Sequence, residues 1–261
     1  MQVLRLGQEA MMAATELGWN AAALVDRIRA NRPRVHCLTN GVAQGFTANA
    51  LLAIGAVPSM TTSPEEVGAF VSGADALLVN LGTLDEPRRQ VIRLAVAAAG
   101  AKPLPWVLDP VFIDRSPGRA AFARELAAGA PAVIRGNAAE IAVLAQSQPV
   151  SAYAAGLAAV VIATGETDEV VDGRRRVGTP NGHPLMARVT AMGCAGAAVV
   201  AAFLAVTEDR LEASAAAMIA LGVAGEIAAE HAAGPGSFAS AYLDALYGLD
   251  AGKLATRART V

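Results

Sequence analysis

Short apolar segments alternate with helical patterns along most of this chain, and this alternation limits the folds that it can adopt. The apolar segments predicted to be strands are 35–39, 56–60, 76–80, 106–110, 132–134 and 159–163. The segments whose apolar spacing predicts helices are 10–29, 44–55, 63–71, 86–99, 118–128, 195–206, 210–232 and 238–247. Such alternation is typical of an α/β fold, in which a mainly parallel central sheet carries helices on both faces.

Two local signals add detail to this pattern. Ser63, Pro64 and Glu66 have the spacing of a capping box, which would begin the helix at 63–71. The Asp-Gly pair at 172–173 lies within the segment 170–177 and predicts a hairpin turn there. The three arginines at 174–176 could bind phosphate, or they could place charge on the exposed edge of that hairpin.

Composition indicates one domain with a small-molecule partner. The chain has 261 residues, without an internal repeat, a linker or a shift in composition, so residues 1–261 are expected to form a single domain. Hydrophobic residues make up 54% and aromatic residues only 4%, which suits helices that lie closely on a parallel sheet. A net charge of −2 gives no basic surface for nucleic acid or for anionic lipid.

The sequence also predicts the compartment. The longest apolar run, 195–206, is too short to span a bilayer. The first ten residues acquire charge early and lack the apolar core of a signal peptide. We therefore expect a cytoplasmic protein without a membrane partner, in which Cys37 and Cys194 are free thiols.

The segment 182–196 is the strongest candidate for chemistry. It predicts an extended stretch, a turn of small residues and then an apolar helix that begins near Gly193, so backbone N–H groups meet where an anion could bind. Cys194 lies in the first turn of this helix, where the helix dipole would favour its thiolate. The segment is interpreted as the centre of a phosphoryl-transfer site; the alternative is a buried cysteine that begins a core helix.

Two further strand ends carry polar groups that phosphoryl transfer requires. Asp109 ends one predicted strand, and Arg135 and Glu140 follow the next; in open α/β sheets these ends face the ligand crevice. The reaction needs carboxylates for a metal ion and a cation for the phosphates. Asn137 and Glu140 could share a hydrated Mg²⁺, or they could form the capping box of a helix.

Other polar residues leave their roles open. Thr164 and Gly165 follow an apolar strand and could contact a nucleotide or form a simple turn. His36 and His183 could be metal ligands, but neither has a partner at the spacing of a zinc site.

Six segments, in the same order along the chain, carry a resemblance to a known family. They are 35–40, 46–60, 75–84, 108–111, 134–141 and 182–190. Together they closely resemble the hydroxyethylthiazole kinase family of the thiamine pathway, and the similarity extends over about residues 35–206. The resemblance implies a ribokinase-like fold and a homotrimer whose thiazole site lies at a subunit interface.

The resemblance also implies an activity. Family members use ATP and Mg²⁺ to phosphorylate the primary alcohol of 4-methyl-5-(2-hydroxyethyl)thiazole. The alternatives are a related kinase of another heteroaromatic alcohol, such as a hydroxymethylpyrimidine, and a binding protein that has lost turnover. A dehydrogenase is disfavoured because no Gly-x-Gly-x-x-Gly follows the first strand.

Residue roles follow from the same resemblance. Met60 and the loop that contains Asn40 and Val42 would hold the thiazole. Arg135 and Thr164 would contact ATP.

The remaining roles concern the metal and the phosphoryl group. Asp109 and Glu140 would orient Mg²⁺ through water, and Cys194 would stand where most ribokinase-like enzymes place an aspartate base. Ala191 would contact the substrate and Gly193 the ATP, with the N–H groups of 191–194 receiving the γ-phosphoryl group.

Two departures from the family pattern bear on the site. The family usually has Gly where this chain has Ala191, so a positive φ or a close approach to the substrate would make Ala191 strain the loop or narrow the pocket. The family also follows its Asp-Pro-Val with small residues, whereas Phe112 begins a bulkier segment here. Both changes are expected to affect substrate fit and rate more than the fold.

Overall fold

A computed structural model describes the backbone of residues 2–261 and the side chains from residue 14 onward. In this part of the chain, one sheet is formed by β1 (Arg34–Leu38), β2 (Val57–Ser59), β3 (Ala76–Asn80), β4 (Trp106–Asp109), β5 (Val133–Asn137), β6 (Val160–Thr164), β7 (Asp168–Val171) and β8 (Arg176–Thr179). Their order is β2-β1-β3-β4-β5-β6-β7-β8. All neighbouring strands from β2 to β6 pair in parallel, and β7 pairs antiparallel with both β6 and β8. The predicted strands and their mainly parallel arrangement are confirmed.

Helices cover both faces of the sheet, as predicted. They are α1 (Gln2–Asn31), α2 (Gln44–Ile54), α3 (Val67–Ser72), α4 (Glu86–Ala101), α5 (Pro117–Ala127), α6 (Ala138–Ala145), α7 (Val150–Leu157), α8 (Met192–Leu204), α9 (Arg210–His231), α10 (Pro235–Tyr247) and α11 (Ala251–Arg257). Alternate strand residues enter two separate cores: Leu78 and Val107 pack with the α8 and α9 side, and Leu77 and Leu108 with the α4 and α5 side.

Helix α9 runs through the larger of these cores. Among the described residues, α9 is the one helix that is long and apolar enough to cross a membrane. However, 83% of its apolar stretch is buried inside the fold. Almost every residue of α8 is buried beside it, and most of them are Ala or Val. Small side chains allow α8, α9 and the sheet to pack closely, which accounts for the high alanine content of the sequence.

The N-terminus of α3 differs from the prediction. The helix begins at Val67, and no side chain caps it. Residues 63–66 form a turn instead, in which the Val67 N–H donates to the Ser63 carbonyl at 3.0 Å. The Glu66 carboxylate accepts from Thr61 Oγ1 at 2.7 Å. The predicted capping box is absent because the helix begins after these residues.

The predicted hairpin joins β7 to β8, and two of its three arginines, Arg175 and Arg176, form ion pairs. Arg175 binds Asp172 at 2.8 Å and Asp209 at 2.7 Å, and Arg176 binds Glu169. These contacts support the interpretation of the arginine run as a charged hairpin edge rather than a phosphate site.

The carboxyl ends of β1, β3, β4, β5 and β6 lie at one edge of the sheet, because these strands are parallel. The N-terminus of α8 reaches the same edge, where Cys194 contacts Asn40 and Asn80. The fold therefore brings the predicted strand-end groups and the segment 182–196 together.

Candidate active site

Four polar side chains form a hydrogen-bonded centre at this edge. Asn40 follows β1, Asn80 ends β3, Asp109 ends β4, and Cys194 is the third residue of α8. Asn80 Nδ2 donates to Asp109 Oδ2 at 2.6 Å and to Cys194 Sγ at 3.2 Å. Asn40 Nδ2 donates to Asn80 Oδ1 at 3.2 Å and to Cys194 Sγ at 3.5 Å. We call these four residues the polar centre.

Asn80 connects the polar centre, and sequence reasoning missed it. Its amide bonds to each of the other three members, and its Oδ1 also accepts from the Gly82 N–H at 3.0 Å. It is fully buried, and the β3–β4 register sets it directly beside Asp109. A buried amide that ends an all-apolar strand was the available signal, since such a group needs partners.

Burial controls the protonation of Asp109. It raises the pKa of the carboxyl group to about 7, and the charge of Glu140 acts in the same direction. The Arg135 guanidinium and the Asn80 amide lower the pKa and offset part of this effect. Asp109 therefore titrates near neutral pH, as functional carboxylates often do.

Cys194 is a thiol at neutral pH. The helix dipole was expected to favour the thiolate, which would lower the pKa of Cys194; the structure corrects this expectation, because the pKa is raised. Burial and the charge of Asp109 raise the pKa of Cys194 to about 11, although the amides of Asn80 and Asn40 and the charge of Arg135 favour the thiolate. Its place in the first turn of α8 was predicted correctly. The sequence showed the helix end, but it could not show the buried carboxylate beside it.

Asn137 and Glu140 were expected either to share a hydrated Mg²⁺ or to form the capping box of a helix. The structure contains the capping box, at the start of α6. Asn137 Oδ1 accepts from the Glu140 N–H at 2.9 Å, and Glu140 Oε2 accepts from the Asn137 N–H at 2.9 Å. Glu140 Oε1 accepts from the Phe112 N–H at 2.8 Å and so ties down the loop after β4. The Glu140 carboxylate still lies close enough to Asp109 to raise its pKa.

These two carboxylates are the candidate metal ligands. The side chains described from residue 14 onward contain no group of three or more His, Cys, Asp or Glu that could enclose an ion. Mg²⁺ commonly keeps several waters and uses one or two carboxylates together with substrate phosphates. Asp109 and Glu140 fit an ion held in that way, but they do not form a complete protein cage.

The two histidines considered as metal ligands, His36 and His183, have structural partners. His36 is buried, with Nδ1 at 2.8 Å from Ser59 Oγ and Nε2 at 3.2 Å from the Thr61 carbonyl. Burial lowers the pKa of His36, which keeps the ring neutral. His183 Nδ1 accepts from the Leu185 N–H at 3.2 Å.

A cavity of about 730 Å³ lies next to the polar centre. Its polar lining residues include Arg135, Thr164, Gly165, Glu166 and Asp168, and its apolar lining residues include Met186, Met192, Met218, Leu221 and Tyr242. Its volume and its mixed lining are those of a small-molecule site.

Arg135 connects the cavity with the first turn of α8. Its Nη1 donates to the Gly193 carbonyl at 2.9 Å, whereas its buried Nε has no partner among the described residues. Thr164 Oγ1 donates to the Gly136 carbonyl at 3.3 Å, and Gly165 forms a turn with Asp168 through a 2.9 Å hydrogen bond. The structure thus brings Arg135, Thr164 and Gly193, all expected at ATP, to the wall of one cavity.

The residues expected at the thiazole are less closely grouped. Asn40 belongs to the polar centre, but Val42 is 69% exposed in the loop after β1. Met60 follows the edge strand β2 and is partly buried against the larger core.

Ala191 has the backbone geometry that the family's glycine suggested. Its φ is 72° and its ψ is −2°, which is the left-handed region that L residues avoid. A positive φ is one of the two conditions under which Ala191 was expected to strain the loop, and the structure meets it.

Comparisons with known proteins identify the family of the chain. The sequence model of the Hydroxyethylthiazole kinase family matches residues 25–252. A probable hydroxyethylthiazole kinase of Agrobacterium fabrum is 51% identical over 226 residues, which are 87% of this chain and 88% of the relative.

Solved structures support the fold and the family. The structure of a hydroxyethylthiazole kinase protein from Pyrococcus horikoshii is 36% identical and superposes with a TM-score of 0.89, covering 92% of this chain and 98% of that one. A ribokinase-like superfamily protein from Enterococcus faecalis, 16% identical, has a TM-score of 0.66 and covers 84% of this chain and 88% of its own; it supports the ribokinase-like fold alone. The chain, a phosphotransferase by its relatives, belongs to the hydroxyethylthiazole kinase family.

Proposed function

We propose that this protein transfers the γ-phosphoryl group of ATP to the primary alcohol of 4-methyl-5-(2-hydroxyethyl)thiazole, a step of thiamine salvage. The observation that carries the proposal is the junction of the polar centre with the cavity, where Cys194, Arg135 and the first turn of α8 meet. Family membership supplies the substrate. The hydroxymethylpyrimidine alternative has no comparable support.

ATP occupies the cavity in this proposal. Arg135 and the N–H groups around Gly193 bind the phosphates, since a guanidinium and a helix N-terminus both favour anions. Thr164 lies on the same wall and contacts the nucleotide. The apolar side of the cavity is suited to the base.

Cys194 aligns the alcohol for attack. Because the pKa of Cys194 is about 11, only a small fraction is ionised at neutral pH, and its main contribution is to position the hydroxyl group. A loose phosphoryl-transfer transition state needs little help from a base, so the proton of the alcohol leaves late. It goes to Cys194 in the few molecules that carry the thiolate, and to an oxygen of the transferred phosphoryl group or to water in the others. Ala191 lies at the turn before α8 and borders the alcohol side of the site.

Asp109 and Glu140 would hold Mg²⁺ through water. When bound, the ion would neutralise phosphate charge as it builds up during transfer. The protein residues contribute without it: Asn80 fixes the Asp109 carboxylate, and backbone N–H groups fix both oxygens of Glu140.

The thiazole ring binds near Asn40, Val42 and Met60. Val42 is exposed on the single chain, which is consistent with a site completed by a second subunit of a homotrimer. We further propose that residues 1–261 act as one kinase domain in the cytoplasm, without nucleic-acid or membrane partners.

The first experiment measures ADP release from ATP and Mg²⁺ with and without the thiazole alcohol. Wild type and Cys37→Ala should show thiazole-dependent release, because Cys37 is buried in the core. Cys194→Ala should lose roughly tenfold to a hundredfold in kcat through loss of alignment. Thiazole binding without turnover in the wild type would contradict the kinase proposal and indicate a binding protein.

A further inference from the structure

The last residues of the chain bind the loop at 180–187, which forms one wall of the cavity. Val261 exchanges two backbone hydrogen bonds with Gly178 in β8, of 3.0 and 3.2 Å. Arg259 N–H donates to Asn181 Oδ1 at 2.8 Å, and Asn181 Nδ2 donates to the Arg257 carbonyl at 2.8 Å. We call residues 257–261 the C-terminal segment; it lies beyond the residues matched by the family model.

Glu226 on α9 joins this segment to the loop. Its Oε1 accepts from Asn181 Nδ2 and from the Gly182 N–H, both at 3.0 Å. The same oxygen accepts from Arg259 Nη2. One carboxylate oxygen thus receives three donors, from two parts of the loop and from the C-terminal segment.

This loop is a wall of the cavity proposed to hold ATP. Asn181, Gly182 and Met186 all line that cavity. The loop lies directly on α9: a Cβ at Gly222 would be 2.6 Å from Asn181 Cβ, and one at Gly225 would be 2.5 Å from Met186 Sδ. The wall therefore rests on helix backbone, and the Glu226 hydrogen bonds set its position.

We propose that Arg259 and Glu226 are positioning residues for the nucleotide, and that they act by fixing the Asn181–Gly182 wall. This inference rests on the proposed ATP site. Arg259 orients the Glu226 carboxylate and neutralises it, so the same oxygen can hold Asn181 and Gly182 in place. Without Arg259, the Asn181–Gly182 wall has more conformational freedom. ATP binding must then order the wall, which weakens the affinity for ATP.

The test compares Arg259→Ala with Arg257→Ala. Arg257 belongs to the same segment, but its side chain pairs with Glu230. It reaches Asn181 through its backbone carbonyl, which Arg257→Ala keeps. We expect Arg259→Ala to raise the Kd of MgADP, measured by calorimetry, and the KM for ATP by about threefold to tenfold. The kcat and the KM for the thiazole should stay within about twofold, and Arg257→Ala should match the wild type.

Two further variants keep the inference falsifiable. Glu226→Ala should weaken MgADP binding more than Arg259→Ala, because it also removes the acceptor of Asn181 and Gly182. Arg259→Lys should restore part of the affinity. The side chain of Arg259 is 55% exposed, so its replacement leaves the core intact.

The outcomes separate this inference from the proposed function. Wild-type affinity in both Arg259→Ala and Glu226→Ala would overturn the inference alone. A fall in kcat with unchanged KM and Kd would also overturn it, because that pattern reports a loss of active protein. Failure of the wild type to bind MgADP would overturn the ATP site and the inference together.

Discussion

Ala191 offers the sharpest test of how the site is built, because its backbone is in a conformation that suits glycine. With φ at 72° and ψ at −2°, it has nearly the dihedral angles of the third residue of a type II turn. The turn must take this shape for the chain to enter α8 with its N–H groups directed at the site. We predict that Ala191→Gly stabilises the protein.

The magnitude follows from two opposing terms. A left-handed conformation costs an L residue about 1–2 kcal/mol, which glycine avoids. Glycine also loses about 0.5–1 kcal/mol more backbone entropy on folding than alanine does. The net gain in the free energy of unfolding is about 0.5–1 kcal/mol, which raises Tm by about 1–4 °C in a protein of this size.

Urea unfolding and thermal melting measure this gain, and Ala158→Gly is the matched control. Ala158 has a φ of 51° at the end of α7 and gives the same backbone relief away from the polar centre. Both variants should gain similar stability, whereas only Ala191→Gly should change the KM for the thiazole, because Ala191 is the residue proposed to border the substrate. A stability loss in Ala191→Gly beside a gain in Ala158→Gly would refute the strain argument at this turn.

Three further predictions concern the polar side of the site. Burial raises the pKa of Asp109 to about 7, so the folded protein binds more protons than the unfolded chain between about pH 4 and 7, and its stability falls as pH rises through that range. Asp109→Asn should remove this slope, giving a gain over the wild type of about 4 kcal/mol in metal-free urea unfolding at pH 8. It should also abolish ADP release; an unchanged slope would contradict the assignment. Arg135→Ala should raise the KM for ATP about tenfold or more, with Arg135→Lys intermediate and the thiazole KM unchanged in steady-state assays. Cys194→Asp should keep or raise kcat at pH 8, since about one thiol in a thousand is ionised there, and a kcat as low as that of Cys194→Ala would exclude a base role.

Local patterns were sufficient to predict most of the sheet. Val133–Asn137 and Val160–Thr164 lie within a few residues of their predicted bounds, because each is an apolar run that ends at polar or small residues. Helix α11 was not predicted, since its packing partner is α1 at the other end of the sequence. Such long-range packing leaves little local signal.

The candidate site was predictable in parts. Asp109 and Cys194 could be expected at one edge because strand ends and helix starts meet there in parallel α/β folds. Asn80 could not, because its role depends on strand register and on a partner, Cys194, that lies 114 residues away in sequence. The high pKa of Cys194 was unpredictable for the same reason: it depends on burial and on Asp109, which only the folded chain brings beside it. The roles assigned to these residues stay predictions until the assays above are made.

Several unfavourable features concentrate at this one edge of the sheet. Asp109 is a buried carboxylate with a pKa near 7, Ala191 has a left-handed backbone, and Arg135 keeps a buried Nε without a partner among the described residues. Each feature costs stability, and none improves the packing of the two cores. Left-handed residues and partnerless buried atoms also occur singly elsewhere, as at Ala158 and Thr179, but their concentration here beside a buried carboxylate of raised pKa indicates a site where another requirement outweighs stability. Binding of phosphate and a metal ion would supply the missing partners for Arg135 and Asp109, so ligands should stabilise the wild type more than they stabilise Asp109→Asn.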